Sequence, residues 1–195
     1  YGMGNIKAFS NIYKSLKVSH KVVKVEEHLK DVEKIILPGV GAFDHAMRQL
    51  NRSGFLDALN DLVLNQKKPV LGVCVGMQMM ANCSEEGVLN GLGWIDATVN
   101  KFNKEELNNK PLPHMGWNSV NQIASNPLFK DIDVNSRFYF LHSYYFNSIW
   151  KYLDPLDPVF TDWGQVALRY VGYLCAPGFL MMAGAMIWWS NQQQR

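Results

Sequence analysis

Apolar residues along the first part of the chain fall into two patterns, which predict strands that alternate with helices. The segment 69–74 is a continuous apolar run, typical of a strand buried in a parallel sheet, and 34–37 and the three valines at 22–25 indicate two further short strands. Apolar residues at helical spacing predict helices over 5–16, 43–52, 54–65 and 75–82, the first with Asn5 as its N-cap. This alternation predicts an α/β fold with a mainly parallel sheet flanked by helices.

The pattern changes further along the chain. Residues 92–102, 114–121 and 136–146 look like extended, partly antiparallel strands separated by Gly, Asn and Pro. After Phe146 there is no further Glu or His, and four of the six Trp residues lie there. We therefore expect a domain over 1–146 and an atypical tail over 147–195.

Within this tail, residues 170–189 carry no charge. The segment is long enough for a helix that spans a bilayer, and the Trp pair at its end suits a membrane interface. Two interpretations follow, which are membrane association through this segment and a buried hydrophobic tail.

Composition narrows the class of protein. An apolar content of 48% with 18% charged residues is typical of a folded chain rather than a disordered one. The net charge of +2 is spread among acidic residues and gives no reason to expect a nucleic-acid partner. The three cysteines form no CxxC pair, which favours a reducing, cytoplasmic setting. The N-terminal residues show no secretion signal.

The sharpest motif is a cysteine flanked by glycines, Gly72-Val-Cys74-Val-Gly76, between a predicted strand and a predicted helix. This arrangement describes a nucleophile elbow, a turn so tight that neighbouring side chains would clash. The turn exposes the sulfur beside a helix N-terminus, which favours the thiolate. A lone cysteine is more often a buried structural residue, but this context favours Cys74 as a nucleophile.

A second glycine-rich turn, Pro38-Gly39-Val40-Gly41-Ala42-Phe43, follows the preceding strand. Such a turn can aim backbone N–H groups at a developing oxyanion. By itself it would be an ordinary turn between a strand and a helix. Beside the cysteine elbow it is predicted to be an oxyanion loop.

Six motifs occur in the order seen in one family. The sequence resembles the glutaminase subunits of imidazole glycerol phosphate synthase, which are class I (triad) glutamine amidotransferases, over residues 1–146. The motifs are PGVGAF (38–43), GVCVGMQ (72–78), SEEG (84–87), GLGWI (91–95), HMGWN (114–118) and FYFLHSYY (138–145).

The resemblance implies a function and a set of site residues. Cys74 would attack the side-chain amide of glutamine and form a thioester. The released ammonia would pass to a partner (β/α)8-barrel cyclase subunit, toward which the HMGWN segment would lie. By the family pattern the oxyanion is held at Val40, Gly41 and Val75, and the substrate at Gly39, Gln78, His142, Ser143 and Tyr144.

The sequence departs from the family in its last part. The family's catalytic His and Glu stand two residues apart near the C-terminus, but here no His follows His142 and no Glu follows Glu106. The family's first strand and its last strands are expected to be missing or replaced. We therefore expect weak glutaminase activity from this sequence. Either an interrupted gene with a tail read from other sequence, or a divergent protein with a membrane tail, would explain the departure.

Alternative functions stay open from the residues alone. One is a related amidotransferase that supplies ammonia for surface-sugar synthesis, and another is a non-catalytic module that binds the partner. No two His residues stand at metal-ligand spacing with a Cys or carboxylate, and no phosphate-binding loop pattern occurs. The sequence therefore predicts no metal site and no cofactor.

Overall fold

The computed structural model describes residues 1–103, 105, 110–120, 132–133 and 135–148. In this part of the chain helices alternate with strands up to residue 78, and strands follow, so the predicted α/β class is confirmed. In chain order the elements are α1 (Ile6–Ser15), a 3-10 helix (Glu26–Leu29), β1 (Ile35–Gly39), α2 (Phe43–Arg52), α3 (Leu56–Asn60), a π-helical turn (Asp61–Asn65), β2 (Val70–Cys74), α4 (Val75–Gln78), β3 (Cys83–Ser84), β4 (Ala97–Lys101), β5 (His114–Ser119), β6 (Arg137–His142) and β7 (Tyr144–Ser148).

The centre of the fold is the parallel pair of β1 and β2. Their register places Gly39 opposite Cys74, so both strands end at the same edge. Apolar side chains of α2 pack against this pair, among them Phe43 and Leu50, which are fully buried. The predicted turn residues thus meet where the carboxyl ends of two parallel strands lie side by side, as expected for α/β folds.

The remaining strands form two further sheets. In one, β4 pairs with β3 in parallel and with β7 in antiparallel orientation. In the other, β5 and β6 are antiparallel, with His114 opposite His142. The predicted extended segment 136–146 is thus two strands separated by a bend at Ser143.

The helices over 5–16 and 43–52 are confirmed as α1 and α2, and Asn5 accepts a hydrogen bond from the Ala8 N–H as the predicted N-cap. The predicted strand at 22–25 is wrong. This segment forms no strand, and Val22 and Val25 are exposed. Three valines gave a local preference for extended backbone, but the described chain offers them no neighbouring strand.

The helix after Cys74 is shorter than predicted, because it ends at Gln78 and not at residue 82. The backbone N–H groups after Gln78 explain this difference. Those of Met80 and Ala81 donate to carbonyl groups only three residues back, and that of Asn82 donates to Ala97 in β4 at 2.9 Å, so the helical hydrogen-bond pattern stops. The GLGWI segment then pairs with the carbonyl groups of residues 79–82, the shortest bond running from Leu92 to Met79 at 2.7 Å.

The tail over 149–195, including residues 170–189, lies outside the described residues. Among the residues that the structure does describe, none forms a helix both long and apolar enough to cross a membrane. The boundary expected near residue 147 stays a prediction.

Candidate active site

Cys74 has a backbone conformation that residues with side chains rarely adopt. Its φ is 56° and its ψ is −126°, at the junction where β2 ends and α4 begins. Positive φ outside glycine costs on the order of 1–3 kcal/mol and tends to occur at functional sites. The half-buried thiol thus stands on a strained strand-to-helix turn, as the elbow motif predicts.

Glycines on both sides of Cys74 allow this turn to lie against β1. A Cβ atom on Gly39 would lie 2.2 Å from the backbone nitrogen of Gly76, and one on Gly76 would lie 2.0 Å from the carbonyl oxygen of Leu37. On the other side, a Cβ on Gly72 would lie 2.5 Å from the Cα of Met77. The elbow and the start of the predicted oxyanion loop are therefore in backbone contact.

The predicted oxyanion loop is held at its start by two residues near the N-terminus, for which the sequence predicted no role. The Tyr1 hydroxyl donates to the carbonyl oxygen of Pro38, and Gly4 packs against the Pro38 ring so closely that a Cβ would lie 2.8 Å from it. Burial raises the pKa of the Tyr1 phenol, and the negative charge of Cys74 raises it further. Tyr1 is thus a neutral hydrogen-bond donor close to Cys74.

The other end of the loop is anchored by hydrogen bonds with the SEEG motif and the residues just after it. Glu86 Oε2 accepts the N–H of Phe43 at 3.0 Å, which satisfies a donor at the start of α2. In return Asp44 Oδ1 accepts the N–H groups of Val88 and Leu89 at 3.0 and 3.1 Å. A Cβ on Gly87 would lie 2.0 Å from Asp44 Oδ1, which explains the glycine of the motif.

Gln78 lies one helical turn after Cys74 and presents an unusual acceptor. The residue is only 8% exposed, and within the described part of the chain its Oε1 has no hydrogen-bond donor. A buried acceptor without a donor costs about 1–3 kcal/mol. Such an atom beside a candidate nucleophile fits a ligand that brings its own N–H group. Met77, Met79 and Met80, which flank Gln78, are buried in the core.

The His142–Tyr144 segment joins two sheets at the bend between β6 and β7. His142 is buried, and its Nδ1 donates to the carbonyl oxygen of Tyr144 at 2.9 Å. Ser143 at the bend accepts the N–H of Phe102 at 3.0 Å. Burial raises the pKa of the Tyr144 phenol, and the nearby charge of Glu86 adds to it, so this segment lies near the SEEG motif.

We expect stability to fall in mild acid because of His142. Burial lowers the pKa of this imidazole; its bond to Tyr144 acts in the opposite direction, and His114 lowers the pKa further. A histidine in the unfolded chain has a pKa of about 6.5, so in mild acid the unfolded chain binds a proton at residue 142 more readily than the folded protein does. The contribution of neutral His142 to the free energy of unfolding is therefore fully present above about pH 6.5. It is lost as the pH falls below that value, by at most about 1.4 kcal/mol per pH unit.

Urea unfolding at about pH 7.5 and about pH 5.5 measures this effect. At the higher pH the His142→Gln variant should be less stable than the parent chain. Its free energy of unfolding should also change less between the two pH values. An equal pH dependence in both proteins would contradict the assignment to His142.

Comparisons with known proteins agree with this geometry. Residues 1–161 match the family model described as glutamine amidotransferase class-I. The chain is 53% identical over 146 residues to an imidazole glycerol phosphate synthase subunit HisH from Leptospira borgpetersenii (74% of this chain, 72% of the relative), and 54% identical over 147 residues to one from Bdellovibrio bacteriovorus (75% and 72%). A solved structure described as a glutamine amidotransferase superposes with a TM-score of 0.53 at 18% identity, over 78% of this chain and 72% of that one, which supports the fold.

Proposed function

Because this chain belongs to the class I glutamine amidotransferases, and within them to the HisH subunits of imidazole glycerol phosphate synthase, we propose that Cys74 is the nucleophile of a glutaminase site. Glutamine is hydrolysed to glutamate and ammonia, and the ammonia is delivered to a cyclase subunit for imidazole glycerol phosphate formation in histidine biosynthesis. The observation that carries this proposal is the strained backbone of Cys74, held against Gly39 of the neighbouring strand.

The first chemical step uses groups that lie around the elbow. The Cys74 thiolate attacks the amide carbon, and the carbonyl oxygen becomes an oxyanion between the Val75 N–H and the N–H groups of Val40 and Gly41. Gly41 has a φ of 79°, which lets its loop turn toward the elbow. When this intermediate collapses to the thioester, the C–N bond breaks and the leaving nitrogen takes up a proton from solvent to depart as ammonia. Water then hydrolyses the thioester to glutamate and the free thiol.

Substrate recognition is assigned to two regions. The buried Oε1 of Gln78 accepts an N–H group of the substrate, which supplies the donor that the described chain does not. Gly39 gives the substrate close access to backbone atoms, and the bend formed by His142, Ser143 and Tyr144 lies against the other side.

The remaining two roles of the family's triad belong to a His and a Glu two residues apart, and no such pair occurs within residues 147–195. The His takes the thiol proton and returns one to the leaving ammonia, and the Glu orients it. Formation of a covalent bond at Cys74 is therefore a more direct test than steady-state ammonia release.

Alkylation by a chloroketone analogue of glutamine tests the proposal. Cys83 is a matched control, because it is an exposed thiol on β3. The analogue should label Cys74 at least about tenfold faster than Cys83, since binding orients its reactive carbon, and excess glutamine should suppress the labelling of Cys74 alone. Peptide mass spectrometry locates the label. Labelling of both thiols in proportion to their exposure, unaffected by glutamine, would rule out a glutamine site at Cys74.

A second candidate function is a non-catalytic module that binds the cyclase. The observation in its favour is the outer face of β5, where Met115 is 63% exposed and Trp117 is 38% exposed. Exposed apolar neighbours of this kind are typical of protein contact surfaces. Calorimetric titration with the cyclase subunit, combined with the chloroketone labelling of Cys74, distinguishes the two. Binding without Cys74 labelling supports the module, and binding with labelling supports the glutaminase.

A further inference from the structure

Three side chains on β5 and β6 form a continuous hydrogen-bonded chain. His114 Nδ1 lies 3.0 Å from His142 Nε2, and Asn118 Nδ2 lies 2.7 Å from His114 Nε2. The register of β5 and β6 places the two histidines directly opposite each other. The contact is therefore a cross-strand pair on one face of this sheet, of the kind that stabilises sheets.

The protons of this chain can be assigned from one end to the other. The Tyr144 carbonyl can only accept, so His142 Nδ1 carries a proton. His142 is neutral near neutral pH, because burial lowers its pKa, and its Nε2 must then accept from the N–H at Nδ1 of His114. The bare Nε2 of His114 in turn accepts from the amide of Asn118. Each of the three hydrogen bonds in this arrangement then has one donor and one acceptor.

Aromatic rings hold both imidazoles in place. Phe140 stacks on His114 with ring centroids 4.9 Å apart and an interplanar angle of 25°. Phe102 lies 5.3 Å from the ring of His142, and its backbone N–H also donates to Ser143 at the bend. The His142 ring and the backbone of the bend are thus fixed by the same surroundings.

We propose that His114 and Asn118 are positioning residues of the glutamine site, which act by holding His142 in its Nδ1–H tautomer. This inference rests on the proposed function, in which the His142–Tyr144 bend binds glutamine. In this tautomer the Nδ1–H of His142 stays on the Tyr144 carbonyl and fixes the backbone at Ser143. In the other neutral tautomer Nδ1 is unprotonated and faces the carbonyl oxygen lone pairs, so the bend loses this restraint.

The assignment also links two surfaces. His114 and Asn118 share one face of β5, while Met115 and Trp117 lie on the opposite, exposed face. The strand that offers an apolar surface to the cyclase therefore also orients the ring at the glutamine site.

Ring tautomers can be measured in the full-length chain labelled with ¹⁵N. Long-range proton–nitrogen spectra should show a protonated Nδ1 and a bare Nε2 for both His114 and His142, with the signals assigned from single substitutions. This is the reverse of the tautomer that isolated neutral histidine prefers. A protonated Nε2 on His142 would overturn the proposal, whether or not Cys74 reacts with a glutamine analogue.

A labelling experiment tests the effect on glutamine binding by comparing His114→Phe with His114→Asn. Phe keeps the ring stacking but removes the donor, whereas the Asn amide nitrogen takes a place close to that of Nδ1 and can donate to His142. His114→Phe should raise the concentration of the chloroketone needed for half-maximal labelling of Cys74 by about five- to tenfold, the size of one lost hydrogen bond. The maximal labelling rate should stay unchanged, since the nucleophile is untouched.

His114→Asn should bring the half-maximal concentration back to within about threefold of the parent chain. Asn118→Ala, a change at an exposed side chain, should raise it by a smaller factor than His114→Phe. Equal behaviour of the Phe and Asn variants, or a loss of maximal rate with the half-maximal concentration unchanged, would overturn the positioning role. If the parent chain itself shows no selective labelling, the proposed function fails, and the tautomer measurement still tests the hydrogen-bonded chain.

Discussion

Replacing Gly76 with alanine should lower the free energy of unfolding by about 3 kcal/mol or more. The added Cβ would lie 2.0 Å from the carbonyl oxygen of Leu37 and 2.8 Å from the carbonyl carbons of Leu37 and Pro38. All three are backbone atoms of β1, so no side-chain rotation can relieve the overlap. Either the elbow or the neighbouring strand must move, and Cys74 moves with it.

Gly54→Ala is the matched control. Gly54 has a φ of 74° and no atom within 4 Å of the added Cβ. The Gly54→Ala substitution should therefore lower the free energy of unfolding only through backbone strain, by about 1 kcal/mol. Urea unfolding followed by tryptophan fluorescence compares the two variants. Similar losses in both would show that the contact between the elbow and β1 can relax at little cost, which would contradict the close approach described above.

Replacing Phe43 with alanine should lower the free energy of unfolding by about 3–5 kcal/mol and loosen the loop before α2 that we propose holds the oxyanion. Phe43 is fully buried and begins α2 directly after the loop. Its side chain packs in the core while its N–H donates to Glu86. Loss of the side chain leaves a cavity at the point where the loop is anchored, so labelling of Cys74 by the glutamine analogue should also slow.

Phe43→Leu separates the two effects. It keeps most of the buried volume and should cost less than about 1.5 kcal/mol, with labelling of Cys74 near the parent rate. Urea unfolding gives the stability and mass spectrometry gives the labelling rate. If Phe43→Ala loses stability but labels as fast as the parent chain, the loop does not depend on this anchor.

The local sequence was sufficient to predict the elbow at Cys74 and the helix α2. The glycines around Cys74 predicted the elbow, because only a residue without Cβ tolerates backbone contact at that distance, and the structure shows those contacts at Gly39 and Gly76. The apolar periodicity over 43–52 predicted α2 with the bounds that the structure shows. The oxyanion and substrate roles of the residues around Cys74 came from a family resemblance, and they stay proposals that the labelling experiments test.

Sequence by itself thus determined the α/β class, the strand-to-helix turn at Cys74 and the family. The tertiary structure decided the features that depend on distant partners. The helix after Cys74 ends early because the Asn82 N–H donates to Ala97 in β4 and not back along the helix, and the valines at 22–25 form no strand because the described chain pairs none with them. The His114–His142 bond likewise joins residues far apart in the chain. Such contacts form between segments that only the fold brings together, so no local pattern encodes them.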